Sequence, residues 1–250
     1  MRFISERIRK TYEEIGRYVY SNTLNIDNYK FIAGKYDNID EIKNAPEEGW
    51  IDFKTGDLWG EESHGWFKTS VKVPDEFSGQ TIALSFHTFL GDWDNTTNPQ
   101  FILYVNGEHI QGLDVNHQET ILTHNAVAGE VYDIDLHAHI GRIEGKKSTL
   151  HGKLVTIDEE ARKLYFNLSV PHIVATKLHE EDKRRIDMLT VLNDTINLID
   201  LRRPFTKEYN ESLKIANKYI EENFYDKMCG HEDMVATCVG HTHIDVAWLW

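Results

Sequence analysis

The middle of the chain alternates apolar and polar residues with a period of two, and this alternation constrains the fold more than any other feature. It begins near Trp50 and continues to about Pro171. One run extends from Phe67 to Val73, and Pro74 ends it. Because successive side chains of a strand point to opposite faces, each run predicts a strand with one buried face.

Turn signals between the runs indicate that these strands are antiparallel. Asn106 and Gly107 lie between two apolar runs, and both residues accept the positive φ angles of a tight hairpin. We interpret the acidic run Asp158-Glu159-Glu160 in the same way, as a turn between two further strands. Many short antiparallel strands predict a β-sandwich of jelly-roll type.

Helical periodicity is found on both sides of this region. Residues 2–20 carry an apolar stripe that predicts a helix docked on the body of the same protein. Residues 21–50 show neither period and are predicted to be irregular. After Pro171 two further stripes predict helices, with Pro204 between them and Thr206 as an N-cap. The stripe of the first helix consists of Ile4, Ile8, Tyr12, Ile15 and Val19.

Charge and cysteine content exclude several classes of protein. The formal net charge of −14 argues against nucleic acids and anionic membranes as partners. We interpret the short basic run Lys183–Arg185, which lies beside acidic residues, as a solvated helix surface. No stretch approaches the roughly 20 apolar residues of a membrane span, and the N-terminus does not resemble a signal peptide. Two cysteines, Cys229 and Cys238, suit a reducing compartment, so we expect a cytoplasmic protein.

A cluster of chemically versatile residues closes the chain. The apolar run 234–240 predicts a buried parallel strand, and His241, His243 and Asp245 follow it. An extended segment with this spacing points all three side chains to one side, where imidazole and carboxylate could bind Zn²⁺, Mn²⁺ or Co²⁺. Trp248 and Trp250 add flat apolar faces that suit a sugar ring. The alternative is that the histidines are ordinary core or surface residues.

The closing segment GHTHIDVAWLW resembles the first signature of glycoside hydrolase family 38, the class II α-mannosidases. In that family a strand is followed by His-x-His-x-Asp-x-x-Trp. The resemblance implies that His243 and Asp245 are ligands of a catalytic Zn²⁺ and that Trp248 stacks on the mannose ring. His241 takes the position of a motif histidine that is not a ligand. Ala247 stands where the motif often has glycine.

The resemblance also implies a retaining hydrolase acting on mannose-containing oligosaccharides. Its carboxylate nucleophile and its acid/base are expected beyond Trp250, so no catalytic residue is assigned within this chain. We therefore expect an N-terminal portion that ends just inside the catalytic domain, binds zinc weakly and has no hydrolase activity alone. The sandwich and the first helix are expected to brace the catalytic domain, and they could mediate a homodimer.

Together these expectations define the fold class. It is mainly β with α: an antiparallel, jelly-roll-like β-sandwich, preceded by an N-terminal helix and followed by a helical linker and the first strand of a truncated α/β barrel. The expected units are residues 1–50 (helix and extended segment), 51–175 (sandwich), 176–232 (helical linker) and 233–250 (first strand and metal motif).

Other polar groups allow a second hypothesis, a non-catalytic sandwich that binds carbohydrate or a partner chain. The loop Asp92-Trp93-Asp94-Asn95 resembles the loops of carbohydrate-binding modules, but we favour an ordinary polar loop. His117 lies in a second polar stretch, for which a site is still less favoured. His137 and His139 share one strand face, and His151 lies on or near a strand. We interpret these three as surface histidines rather than a metal site.

Overall fold

The computed structural model describes residues 2–88, 99–141 and 147–230, together with residues 235, 237 and 238. Within these residues, ten strands form two antiparallel sheets that pack face to face, and six α-helices accompany them. The strands are β1 (Tyr20–Ile26), β2 (Asn28–Ala33), β3 (Ile51–Lys54), β4 (His64–Lys72), β5 (Thr81–His87), β6 (Gln100–Val105), β7 (Glu108–Leu113), β8 (Glu119–Thr123), β9 (Val131–His139) and β10 (His151–Ile157). The α-helices are α1 (Arg2–Arg17), α2 (Ile39–Lys43), α3 (Glu159–Lys177), α4 (Lys183–Ile196), α5 (Lys207–Ile220) and the short α6 (Asp226–Met228).

The sheet topology confirms the predicted sandwich. One sheet has the strand order β1-β10-β5-β8, and the other has the order β3-β2-β4-β9-β6-β7. The predicted hairpin joins β6 to β7, where Asn106 and Gly107 have φ angles of 52° and 82°. Positive φ at both central residues is the geometry that matches the twist of the flanking strands. Across the described residues, no helix is both long and apolar enough to cross a bilayer.

Aromatic side chains fill much of the space between the two sheets. Phe67 is fully buried, and its ring centroid lies 4.6 Å from that of Phe31, 5.0 Å from that of Phe53 and 5.4 Å from that of Trp59. Most of these rings meet edge to face or tilted, which aromatic pairs prefer over a face-to-face sandwich. The four rings belong to the same apolar core as Leu84 and Leu154 of the facing sheet.

Helices cover the other face of the four-stranded sheet. Ala83, Val155 and Ile157 of that sheet belong to the same apolar core as the buried residues of α1, α3, α4 and α5. Ser5 on α1 makes a 2.8 Å hydrogen bond to Nε2 of His172 on α3. The predicted docking of the first helix on the body of the protein is therefore confirmed, although the helix ends at Arg17 rather than at residue 20.

The prediction that residues 21–50 are irregular is wrong. This region contains most of β1, all of β2 and the short helix α2. β1 has few apolar residues because it is an edge strand, paired only with β10 in its sheet. β2 buries Phe31 and Ile32 on opposite faces, so it lacks the alternation of a half-buried strand.

The prediction that residues 158–160 form a hairpin turn is wrong. These residues form the start of α3. Asp158 is the N-cap, and its Oδ1 accepts a 3.0 Å hydrogen bond from the amide of Ala161. Carboxylates are favoured at a helix N-terminus because the first amide groups lack partners within the helix. Pro171 does not mark the end of the strands, as its sequence position predicted, but lies buried within α3.

The later helices follow the predicted pattern. Thr206 caps α5, since its hydroxyl accepts a 3.3 Å hydrogen bond from the amide of Tyr209. In the basic run at the start of α4, Lys183 and Arg184 are exposed, as predicted, and pair with Asp187 at 2.6 Å and Asp182 at 2.7 Å. Arg185 is half-buried instead, and it donates a 2.9 Å hydrogen bond to the carbonyl of Leu178.

We expect Gly152→Ala to destabilise the sandwich. A Cβ at Gly152 would lie 2.2 Å from Oη of Tyr29 and 2.8 Å from Cε1 of Phe86, and both rings are buried. Overpacking of this kind should lower the free energy of unfolding by about 1–3 kcal/mol in urea denaturation. Gly112→Ala on β7 is the matched control, because its nearest such neighbour is the carbonyl oxygen of Phe101 at 3.9 Å. Equal losses in the two variants would contradict the prediction.

Candidate functional site

The C-terminal motif lies outside the described residues. The metal-ligand assignment of His243 and Asp245, the stacking role of Trp248 and the positions of His241 and Trp250 therefore stay predictions. The loop that contains Trp93 lies outside the described residues as well.

The described residues contain a histidine cluster on the outer face of the six-stranded sheet. It consists of His64 on β4 and of His137 and His139 on β9. Antiparallel pairing places His64 directly opposite His139 and Trp66 directly opposite His137. Because residues two apart on a strand share a face, this register brings all three imidazoles together. The pairing confirms that His137 and His139 share a face.

Aromatic stacking fixes part of the histidine cluster. The rings of His64 and His139 have centroids 4.6 Å apart. His137 lies almost parallel to Trp66, with centroids 4.6 Å apart and planes 4° apart. Trp66 is fully buried, and its indole Nε1 donates a 3.0 Å hydrogen bond to the carbonyl of Tyr36. The position of the His137 ring is therefore set by the buried indole.

Burial favours the neutral form of two of these imidazoles. It lowers the pKa of His64 and His137 below the ordinary value of 6.5, and the neighbouring histidine lowers each further. Both ring nitrogens of His137 and the Nδ1 atoms of His64 and His139 are buried without a hydrogen-bond partner in the described part of the chain. Among those residues, no three His, Cys, Asp or Glu side chains are arranged to hold a metal ion. The three rings are half-buried, so the interpretation of His137 and His139 as surface histidines is wrong in this respect.

We expect the histidine cluster to make the fold sensitive to acid. Because the folded-state pKa values of His64 and His137 lie below the unfolded value, their contribution to stability is complete above about pH 6.5. It is lost as the pH falls through the lowered values. The double variant His64→Gln/His137→Gln should therefore lose less stability than the wild type between about pH 7.5 and about pH 5.5.

The measurement is the free energy of unfolding in urea at the two pH values. His117→Gln is the control, because His117 is exposed in a loop and accepts or donates a 2.9 Å hydrogen bond with Asp114. A pH dependence that is the same in the double variant and the wild type would contradict the expectation.

Two further histidines were named from the sequence, His117 and His151. His117 shares its Asp114 partner with the backbone of a polar turn, since its own amide also donates to that carboxylate at 2.8 Å. This agrees with the preference for a polar loop over a site. His151 lies on β10 opposite His87. His64 was not identified from the sequence, because the register that places it beside His139 has no local signal.

Comparison with known proteins identifies the sandwich. Residues 32–174 match the family model described as the jelly roll domain of α-mannosidase. The chain is 23% identical over 229 residues to α-mannosidase G of Dictyostelium discoideum, a match that covers 83% of this chain and 20% of that protein. It is 23% identical over 203 residues to α-mannosidase 2C1 of Mus musculus, which covers 74% of this chain and 18% of that protein. The chain thus spans about a fifth of the length of these relatives.

Among solved structures, the crystal structure of the β-glucuronidase from Ruminococcus gnavus is similar, with a TM-score of 0.39 and 12% identity over 56% of this chain and 30% of that chain. The family match is more informative, since it covers more than half of the chain and includes eight of the ten strands in full. The chain belongs to the α-mannosidases of glycoside hydrolase family 38 and contains their jelly roll domain.

Proposed function

We propose that this chain is the N-terminal region of a zinc-dependent, retaining α-mannosidase that removes α-linked mannose from oligosaccharides. The observation that carries the proposal is the presence in one chain of the family's jelly roll domain and, after it, the sequence His241-Thr-His243-Ile-Asp245. The fold alone would not suffice, because sandwiches of this type serve many functions. The motif adds residue types with a specific chemistry.

The residue types of the motif are ones that bind zinc, but the motif has fewer ligands than a catalytic zinc site. His243 and Asp245 offer an imidazole nitrogen and a carboxylate, which are ligands that Zn²⁺ takes. A catalytic zinc site has three protein ligands, so at least one would come from outside the motif. When bound, the ion would stabilise negative charge and orient sugar hydroxyls. Trp248 would hold the sugar by stacking on its apolar face.

Retaining hydrolysis needs two carboxyl groups about 5 Å apart, one as nucleophile and one as acid/base. In this proposal both lie beyond Trp250. The chain by itself should therefore lack hydrolase activity. Its α1 helix already has its apolar face packed on α3, with Ile8 and Ile15 fully buried, so a homodimer would need another surface.

A cytoplasmic location is part of the proposal. It is supported by the state of the two cysteines, since Cys229 and Cys238 are both free and exposed. Exposed thiols of this kind suit a reducing compartment.

The experiment compares this chain with the complete α-mannosidase on an aryl α-mannoside in the presence of Zn²⁺. The chain alone should give no turnover, whereas the complete protein should hydrolyse the substrate. Proton NMR of the first product should show α-mannose, because retention preserves the anomeric configuration. Appreciable turnover by the chain, or initial release of β-mannose by the complete protein, would overturn the proposal.

A further inference from the structure

A groove between α1, α3 and the edge of the four-stranded sheet has the properties of a ligand site. Its volume is about 510 Å³. Charged, aromatic and small residues line it: Glu13, Gly16, Arg17, Val19, Tyr20, Glu119, Arg162, Tyr165 and Phe166. We call it the α1–α3 groove. It lies on the opposite side of the sandwich from the histidine cluster, which is on the outer face of the six-stranded sheet.

Hydrogen bonds between polar side chains of the α1–α3 groove hold these side chains in place. Glu119 on β8 is only 17% exposed, and its two carboxylate oxygens accept hydrogen bonds from Arg162 on α3 and from the hydroxyl of Tyr20 on β1, each at 2.6 Å. Three elements distant in sequence therefore meet at one carboxylate. A guanidinium has five N–H donors, more than its bond to Glu119 uses. The pair can thus offer directed donors and acceptors to a ligand.

Two large aromatic rings remain exposed at the same groove. Tyr20 is 47% exposed and Phe166 is 51% exposed. Tyr165 packs beside them against α1, where a Cβ at Gly16 would lie 3.0 Å from the Tyr165 ring. Exposed aromatic rings beside fixed polar groups are typical of binding sites, since each ring offers an apolar face at small entropic cost.

The charges of the α1–α3 groove indicate what kind of ligand it suits. Glu13 and Glu119 contribute two carboxylates, and Arg17 and Arg162 contribute two guanidinium groups, so the groove has no net charge. An anionic or cationic ligand would gain no overall attraction there. A sugar ring matches the groove, because it has apolar C–H faces for the aromatic rings and hydroxyl edges for the Glu119–Arg162 pair.

We propose that the α1–α3 groove binds a neutral pyranose unit of the oligosaccharide. That the sugar is mannose rests on the proposed function. The groove would hold part of a longer substrate or its product.

A second protein is an alternative occupant of the groove. It can be distinguished from a sugar by the residues of α3 on which binding depends. Phe166 begins an exposed apolar stripe that continues through Val170, Ile173 and Val174. A second protein surface would use the whole stripe, whereas a sugar in the groove would use only Phe166 and Tyr20. Val170→Ala is therefore the matched control for Phe166→Ala.

The test is saturation-transfer NMR, with titration of methyl α-mannoside and an α-linked mannotriose into this chain. All variants carry His243→Ala and Asp245→Ala, so that the C-terminal motif cannot contribute. Binding in the millimolar range is expected, and Tyr20→Ala and Phe166→Ala should each weaken it about tenfold. Phe166→Leu should weaken binding similarly, because it keeps apolar volume but removes the flat ring. Val170→Ala should leave the affinity unchanged.

Thermal unfolding confirms that each variant is folded before its titration is interpreted. Absence of saturation transfer with a folded chain would overturn the proposal. So would equal losses in Val170→Ala and Phe166→Ala, or tighter binding of methyl glucuronide than of methyl mannoside. Because the titration requires neither zinc nor hydrolysis, its failure would leave the proposed hydrolase function standing, and loss of the hydrolase function would leave sugar binding at the groove standing.

Discussion

Phe67→Ala is expected to lower the free energy of unfolding by about 3–5 kcal/mol, the largest effect on stability that we predict for a single substitution. The phenyl ring of Phe67 is fully buried on β4. It contacts rings from β2, from β3 and from the segment containing Trp59, so truncation would leave a cavity that several rigid neighbours cannot fill. Urea denaturation followed by tryptophan fluorescence measures the loss.

Phe3→Ala is the control for this substitution. Phe3 is 79% exposed on α1, so removing its ring should change the free energy of unfolding by no more than about 0.5 kcal/mol. If Phe67→Ala were as stable as Phe3→Ala, the aromatic cluster would not be a main part of the core between the two sheets.

Asp245→Asn in the complete α-mannosidase is expected to reduce kcat/KM on the order of 1,000-fold. If Asp245 ligates the ion, the substitution replaces an anionic ligand by a neutral amide and weakens metal binding. Loss of several kcal/mol of charge stabilisation corresponds to a rate loss of about this size. His243→Ala should have a similar effect, because it removes the other proposed ligand.

Asp233→Asn is the matched control, since it makes the same chemical change in the same C-terminal segment but outside the motif. Its kcat/KM on the aryl α-mannoside should equal that of the wild type. Activity that survives in Asp245→Asn, or falls equally in Asp233→Asn, would remove the reason for assigning the motif to a metal site.

Local sequence patterns predicted those elements in which the order of apolar and polar residues follows their burial in the fold. β4 and β9 alternate because one face of each meets the facing sheet, and the hairpin at Asn106-Gly107 follows from backbone preferences alone. β1 was missed because an edge strand buries little and so carries little alternation. The start of α3 was not predicted, because acidic residues suit both a turn and a helix N-terminus.

The candidate sites differ in how far apart their residues lie along the chain. The C-terminal motif is local, so sequence could indicate both its ligands and, by resemblance, its family. The α1–α3 groove joins Tyr20, Glu119 and Arg162, which lie on three elements far apart in the chain. The histidine cluster depends on a register in which His64 faces His139. Long-range pairing decides both arrangements, and no local pattern reports it.

The zinc content of the complete α-mannosidase tests the central claim most directly, namely that His243 and Asp245 belong to its metal centre. Elemental analysis after dialysis against a metal-free buffer should find about one zinc ion per wild-type chain and almost none in His243→Ala/Asp245→Ala. The Asp233→Asn protein should retain the wild-type content. Equal zinc in the wild type and the double variant would contradict the claim.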